Sequence, residues 1–300
     1  MERLLNYMKD NEKVGLFGIP YLDWKLNGIL KNDLILVGAR SGAGKSTLAN
    51  IIATANKNNG VKVALFSLEN FKDDGFVEKA FYKYRSLTGN FGITLRQFAS
   101  GEFQRDDIAL KKSQMYAEEC FNNIEIINRQ HNFDIEKLKE EIIKQAQNGC
   151  KLIILDHLDY VDKYDNDTEY THINSLMKTI REAQDCFHVA VVAMSHLRKS
   201  INSKIVAKIP SIDEFIGSSN KVKEATAVIM FAPDDEGNQI STKNKIFDRK
   251  STWCCVRKLR MGGIDNQAVK LLFNTKTGTY ENEYQVYAVD YSGCNLELIR

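Results

Sequence analysis

The sequence contains only 3 prolines in 300 residues. With 43% hydrophobic and 27% charged residues, that scarcity excludes a chain made mostly of linker or disordered segments. Its six cysteines (Cys120, Cys150, Cys186, Cys254, Cys255 and Cys294) form no CxxC pair and have no histidine at zinc-ligand spacing. They read as reduced thiols packed as small hydrophobes, not as a structural metal site. Long apolar runs are also missing: the start, MERLLNYMKDNEKV, is too charged for a signal peptide and no later stretch is long enough to span a bilayer. The expectation is a soluble, cytoplasmic protein of a bacterium or phage-infected cell, with a mitochondrial home left open, and no membrane partner. An excess of one charge is absent as well, since 41 Lys and Arg face 39 Asp and Glu for a net charge of +2. Any surface for a polyanion must therefore be local.

What the sequence does have is a regular alternation. Apolar, β-branched runs at 33–38 (DLILVG), 61–67 (VKVALFS), 151–156 (KLIILD) and 188–194 (HVAVVAM) read as buried parallel strands. Helical patterns at 45–58, 134–147 and 171–186 lie between them; in the second, Ile135, Leu138, Ile142, Ile143 and Ala146 share one face, and Gly149 is a natural stop. The implied fold class is α/β, a mainly parallel central sheet flanked by helices. From about Thr226 the pattern changes to TAVIMF, TWCCVRKLR and AVKLLFN separated by turn residues, which predicts antiparallel strands on the C-terminal side. The polar stretch 232–251 between the first two reads as an exposed hairpin or loop. Residues 1–14 read as a short amphipathic helix or linker, and 15–300 as one ATPase-type domain.

The strand DLILVG runs directly into Ala39-Arg-Ser-Gly-Ala-Gly-Lys-Ser46 and then a helix, the strand–loop–helix context of a P-loop. Ser41, Gly42, Ala43, Gly44, Lys45, Ser46 and Thr47 are the candidate ATP-binding residues. The glycines let successive amides turn toward phosphate oxygens, the helix amino terminus adds partial positive charge, Lys45 reaches the β and γ phosphates, and Ser46 holds Mg²⁺. Ala39 stands where the common pattern has glycine. Hydrolysis also needs a carboxylate on the metal side and a group that activates water. Asp156 ends the apolar strand KLIILD and is the candidate metal carboxylate, acting directly or through water, while Glu69 follows VALFSL and is the candidate base.

In this order the segments resemble the motor domain of DnaB-type replicative helicases and their Twinkle-like relatives. IPYLDWKLNGILKNDLILVGARSGAGKST is similar to the family's entry segment, VALFSLEN to the strand with its catalytic glutamate, and KLIILDHLDYV to its metal-carboxylate strand. VVAMSHLRKS resembles the phosphate-sensing strand, with His196 where the family usually has Gln; FIGSSNKVKEATAVIMF resembles the DNA-loop segment, and VRKLRMGG the strand of trans-acting cations. ITLRQFASGEF is similar to a segment of the family's helical region. The resemblance covers roughly 15–275 and implies a RecA-like P-loop fold and a ring, usually of six subunits, that translocates on single-stranded DNA and unwinds duplex. A separate primase or loader is an implied partner. No primase-interaction domain is expected in this chain, and Ala225, Thr226 and Ala227 replace the acidic residues often found before the VIMF strand.

Lys258 and Arg260, two apart on a strand, project to one face, and the resemblance implies that they complete a neighbour's site as basic fingers. DNA contact is expected at two loops: 198–210, with Arg198, Lys199, Lys204 and Lys208, and 217–223, with Gly217, Ser218, Ser219 and Lys221. Two other functions remain compatible with these motifs, a RecA-like regulatory ATPase of the KaiC or RadA kind and a recombination ATPase that does not unwind.

Overall fold

The structure is a computed structural model, and it describes all residues except 1, 41, 58–59, 70–72, 199–206, 216–217, 239–248, 263–265, 291 and 300. In chain order the elements are α1 (Glu2–Asp10), β1 (Lys13–Gly15), α2 (Pro20–Lys25), β2 (Ile29–Leu30), β3 (Leu34–Ala39), α3 (Lys45–Ala55) and β4 (Val63–Ser67). Next come α4 (Asp74–Thr88), α5 (Leu95–Ser100), α6 (Asp107–Phe121), β5 (Ile124–Asn128), α7 (Ile135–Gln147), β6 (Leu152–Asp156), α8 (Glu169–Phe187) and β7 (Ala190–His196). The chain closes with α9 (Ser218–Glu224), β8 (Ala227–Pro233), β9 (Arg249–Leu259), β10 (Gln267–Asn274), β11 (Thr279–Val289) and β12 (Leu296–Leu298).

Among the described residues one ten-stranded sheet runs β12-β11-β10-β9-β8-β3-β7-β6-β4-β5, parallel from β8 to β5 and antiparallel from β8 outward to β12. The α/β class, the parallel centre and the antiparallel C-terminal side agree with the sequence. Both faces of the centre are covered, which is why its strands are apolar throughout instead of alternating. Ile35, Val37, Leu65, Ile154 and Val192 pack on one side with Leu48 and Ile52 of α3 and with Phe17 and Leu22. Leu34, Leu36, Phe66, Ile153 and Val191 pack on the other with Leu138 and Ile142 of α7 and Leu176 and Ile180 of α8.

Local signals set the helix ends. Asp134 caps α7, accepting the Lys137 N–H at 3.0 Å, so the helix expected from 134 has that residue as its cap. Gly149, with φ +90°, follows its end. The helix expected over 45–58 stops at Ala55. The stretch 232–251 is shorter as a loop than expected. β8 continues through Pro233 and β9 begins at Arg249, because Ser251 hydrogen-bonds back to Asn238 (N to Oδ1, 3.0 Å) and Asp234 (Oγ to Oδ2, 2.9 Å); residues 239–248 lie outside the described residues.

β5 and the α4–α6 layer were not singled out in the sequence. β5 is a half-buried edge strand, and the helical layer packs on itself through Phe81, Tyr84, Phe98 and Phe103. α1 has no buried residue, and Tyr7 contacts Met261 (hydroxyl to Sδ, 2.8 Å). Among the described residues no helix is long and apolar enough to cross a membrane.

Gly38, in the middle of the sheet, tests how tightly this core is packed. A Cβ there would come within 2.5 Å of Phe215 Cζ and 2.7 Å of Met230 Sδ, and both side chains are fully buried with nowhere to retreat. Gly38→Ala is expected to cost about 1–3 kcal/mol through overpacking; chemical denaturation measures it, and an unchanged midpoint would contradict the packing described.

Candidate functional site

Strand register assembles the site. β3 pairs with β7 so that Ala39 lies opposite His196, and β4 pairs with β6 so that Ser67 lies opposite Asp156. The carboxyl ends of four parallel strands therefore form one rim, the usual place for a ligand in an open α/β sheet. The Leu68 N–H donates to the Asp156 carbonyl at 2.7 Å, which extends the pairing one step and sets Glu69 beside that carboxylate.

The loop after β3 turns through Gly42 (φ +78°) and Gly44 (φ +86°), the left-handed region that a side chain resists. A Cβ on Gly42 would meet nothing within 4 Å, so the backbone there borders open space. Gly44 is the N-cap of α3 and no side chain caps the helix, leaving its first amides and partial positive charge for an anion. Ala43 is buried, the Thr47 hydroxyl donates to Glu78 Oε1 at 3.3 Å, and Ser41 lies outside the described residues.

Four further predicted groups converge here. The Lys45 ammonium is 3.0 Å from His196 Nδ1. Burial lowers its pKa, while Glu69, Asp156 and Asp159 act in the opposite direction. His196 is also held below its ordinary pKa, by burial first and then by His157 and Lys45. Asp156 is buried and its pKa is raised by that burial, against a hydrogen bond from Ser46. Its Oδ1 has no hydrogen-bond partner, an orphaned acceptor next to a hydroxyl that fits a hard divalent cation. Glu69 Oε1 accepts from the Tyr160 hydroxyl at 3.4 Å.

The sequence reading missed His157, Asp159 and Ser195. His157 is fully buried, with Nε2 3.2 Å from Glu69 Oε2 and Nδ1 3.4 Å from Asp159 Oδ2. Asp159 also accepts the His196 N–H at 2.7 Å and the Ser195 hydroxyl at 3.2 Å. Burial alone would raise its pKa, but His157, Lys221 and the His196 amide outweigh that and hold the carboxyl far below the usual range. A signal was available, because Asp159 follows Asp156 by three residues in a tight 3₁₀ turn over Leu158–Tyr160, where i and i+3 share a face. Glu69, His157 and His196 bring ligand atoms within 4.8 Å of one another. The Lys45 ammonium against His196 opposes a cation there, and the set belongs to this same rim.

Lys221 corrects an expectation. It is 1% exposed, with Nζ 2.7 Å from Asp159 Oδ1 and 2.9 Å from Ser195 Oγ, so its ammonium faces the rim and not a DNA channel. Lys258 and Arg260 do share a face, as expected, but that face meets the end of α9. Lys258 Nζ donates to the carbonyls of Val222 and Ala225 (2.8 Å to the latter), and Arg260 donates to that of Lys223 at 3.3 Å. Unpaired carbonyls and the negative helix end draw both cations; Arg260 is exposed and Lys258 only partly so. Arg198 is exposed, 3.7 Å from Glu169, and Lys208 pairs with Glu236 at 2.9 Å. Ser218 and Ser219 begin α9. Lys199, Lys204 and Gly217 lie outside the described residues.

A family model, the DnaB-like helicase C terminal domain, matches residues 16–282. The chain belongs to this family. A probable replicative DNA helicase of Trieres chinensis is 22% identical over 240 residues, 77% of this chain and 50% of its own length. The replicative DNA helicase DnaC of Bacillus subtilis is 25% identical over 247 residues, 78% of this chain and 51% of its own. The chain thus spans about half the length of the curated relatives it matches. Among solved structures a free-standing ATPase domain superposes with a TM-score of 0.75 at 20% identity, covering 94% of this chain and 98% of that one. A DnaB-like replicative helicase, studied with its primase interactions, gives 0.75 at 18% identity, covering 93% and 65%. The shared fold is that of RecA-like DnaB ATPase domains.

The depressed Asp159 pKa has a stability consequence of definite sign. A carboxyl with a folded pKa below its unfolded value contributes stability that is present above the unfolded value, near 3.8, and lost as pH falls from there toward the folded one. Asp159→Asn should therefore remove part of the loss of thermal stability on acidification below about pH 4. Parallel acid limbs for the two proteins would contradict the ionised assignment.

Proposed function

We propose that this chain is the ATP-driven motor of a replicative DNA helicase, hydrolysing Mg²⁺-ATP at the interfaces of a ring, of six subunits by family habit, to move on single-stranded DNA and part the duplex ahead. One observation carries the reading: a P-loop, an orphaned buried carboxylate, a glutamate and a histidine meet at one sheet rim in a member of the DnaB-like family. Residues 15–300 act as one ATPase unit, with 1–14 as a short N-terminal helix.

The roles follow from the geometry and from general phosphoryl-transfer chemistry. The amides of 41–47 and Lys45 bind the phosphates, Ser46 and Asp156 hold Mg²⁺, Glu69 activates water, and His196 contacts the terminal phosphate. Mg²⁺ supplies charge neutralisation of the phosphate oxygens when bound. Arg260, exposed at the end of β9, is the finger offered to a neighbour, and Lys258 supports it by fixing the end of α9. Arg198, Lys199, Gly217, Ser218 and Ser219 carry the DNA contact, with Lys221 acting from inside. A primase or loader is a further partner, consistent with the interaction studied for the DnaB-like relative.

Lys45→Ala should abolish productive ATP binding, whereas Glu69→Gln should keep nucleotide affinity and lower kcat roughly 100- to 10 000-fold. Turnover and fluorescent-nucleotide titration separate the two, and equal turnover in Glu69→Gln would remove Glu69 from its role.

Arg260→Ala should lower kcat about 1000-fold or more, with partial recovery when Arg260→Ala and Lys45→Ala subunits are mixed. Recovery in no mixture, despite co-assembly, would mean that each site is complete within one chain. The helicase reading itself rests on single-stranded DNA stimulating turnover at low salt and on strand displacement from a forked duplex. Assembled rings that neither bind DNA nor respond to it would leave the regulatory ATPase in its place.

A further inference from the structure

Asp159 joins three separate parts of the chain. Its own turn follows β6, its Oδ2 accepts the His196 N–H at the end of β7, and its Oδ1 accepts from Lys221 of α9. The same Oδ2 lies 3.4 Å from His157 Nδ1, and the opposite ring nitrogen lies 3.2 Å from Glu69 Oε2. That imidazole has little freedom, because His196 packs edge-on at a centroid distance of 4.1 Å and Tyr160 at 4.5 Å. Neither ring nitrogen is in hydrogen-bond alignment, although both carboxylates are within reach, and a small rotation of Glu69 aligns one of them. Catalytic contacts commonly tighten in this way only in the reacting complex.

An ion pair with one member fully buried is not what bare stability calls for, since two well-packed apolar residues of similar volume do as well or better. The charge of Lys221 and Asp159 points to a task at the rim. We propose that Asp159 is a positioning residue for hydrolysis, setting Glu69 through the His157 imidazole and the sensor strand through the His196 amide, with Lys221 holding the carboxylate in place. Because α9 begins within the segment assigned to DNA contact, the same pair fixes that helix to the hydrolytic centre. The inference rests on the reading of the rim as an ATPase centre and adds the origin of its base's orientation.

The test uses the full chain with single-stranded DNA and compares wild type, Asp159→Asn, His157→Gln and the double variant for ATP turnover, fluorescent-nucleotide affinity and thermal melting. Each single change should lower kcat about 100-fold, the scale of a misplaced reacting group. KM and nucleotide affinity should stay within about threefold, since binding groups are untouched. The double variant should lose no more than the worse single, because residues acting as one unit are not additive. Lys221→Arg should retain much of the turnover that Lys221→Met loses. Should Asp159→Asn not fold, His157→Gln decides the question, since it leaves the Asp159–Lys221 pair intact. Wild-type kcat in folded Asp159→Asn or in His157→Gln, multiplied losses in the double variant, or a defect confined to KM would overturn the proposal while leaving the ATPase reading standing. A wild-type chain without ATPase activity would bring down that reading first.

Discussion

The rim depends on the parallel pairing of the four strands β3, β7, β6 and β4. Each hydrogen-bonded step fixes its neighbour's register, and a slip of one residue would turn every side chain to the opposite face. With Ala39 opposite His196 and Ser67 opposite Asp156, the phosphate loop, the metal carboxylate, the base and the sensor stand at the same level. Both sheet faces are sealed by helices, so a register shift would bury no new apolar surface to compensate.

Charge is the second constraint. The Lys45 ammonium sits among Glu69, Asp156 and Asp159 with a depressed pKa, and two imidazoles lie edge-on beside it. His196 is biased toward its neutral form, in which one ring nitrogen can accept and the other donate. Asp156 is pushed the other way, its acidity reduced by burial, and a divalent cation between it and Ser46 would reverse that bias. The rim is thus electrostatically incomplete in the direction that Mg²⁺ and a polyphosphate would complete together.

Much of this was readable from the chain alone, for identifiable reasons. The central strands are continuous apolar runs because both their faces are buried, and the P-loop declares itself by glycine spacing between strand and helix. Helix ends follow Asp134 and Gly149 because capping is local. The misreadings share a cause in long-range contact. Lys221 looks like a surface residue in the polar run GSSNKVKE, and only Asp159, 62 positions earlier, makes it internal. Lys258 and Arg260 do face together, yet which group they face depends on where α9 ends. β5 lacks a continuous apolar run since an edge strand is only half covered, and the α4–α6 layer is cemented by aromatic residues too widely spaced to form one pattern.

The sheet order also has a consequence for biosynthesis. β3, which carries the phosphate loop, pairs only with β7 and β8, so its partners leave the ribosome more than 150 residues after it. β4, β6 and β5 are mutual neighbours and are complete by Asp156, which allows them to associate first. Until Phe231 has emerged, the loop strand remains an apolar segment with unpaired amides and carbonyls on both edges, a state prone to wrong pairing with another chain. Competence to bind nucleotide is therefore a late event on the nascent chain, and a truncation before β8 should yield an insoluble product and not a weakened enzyme.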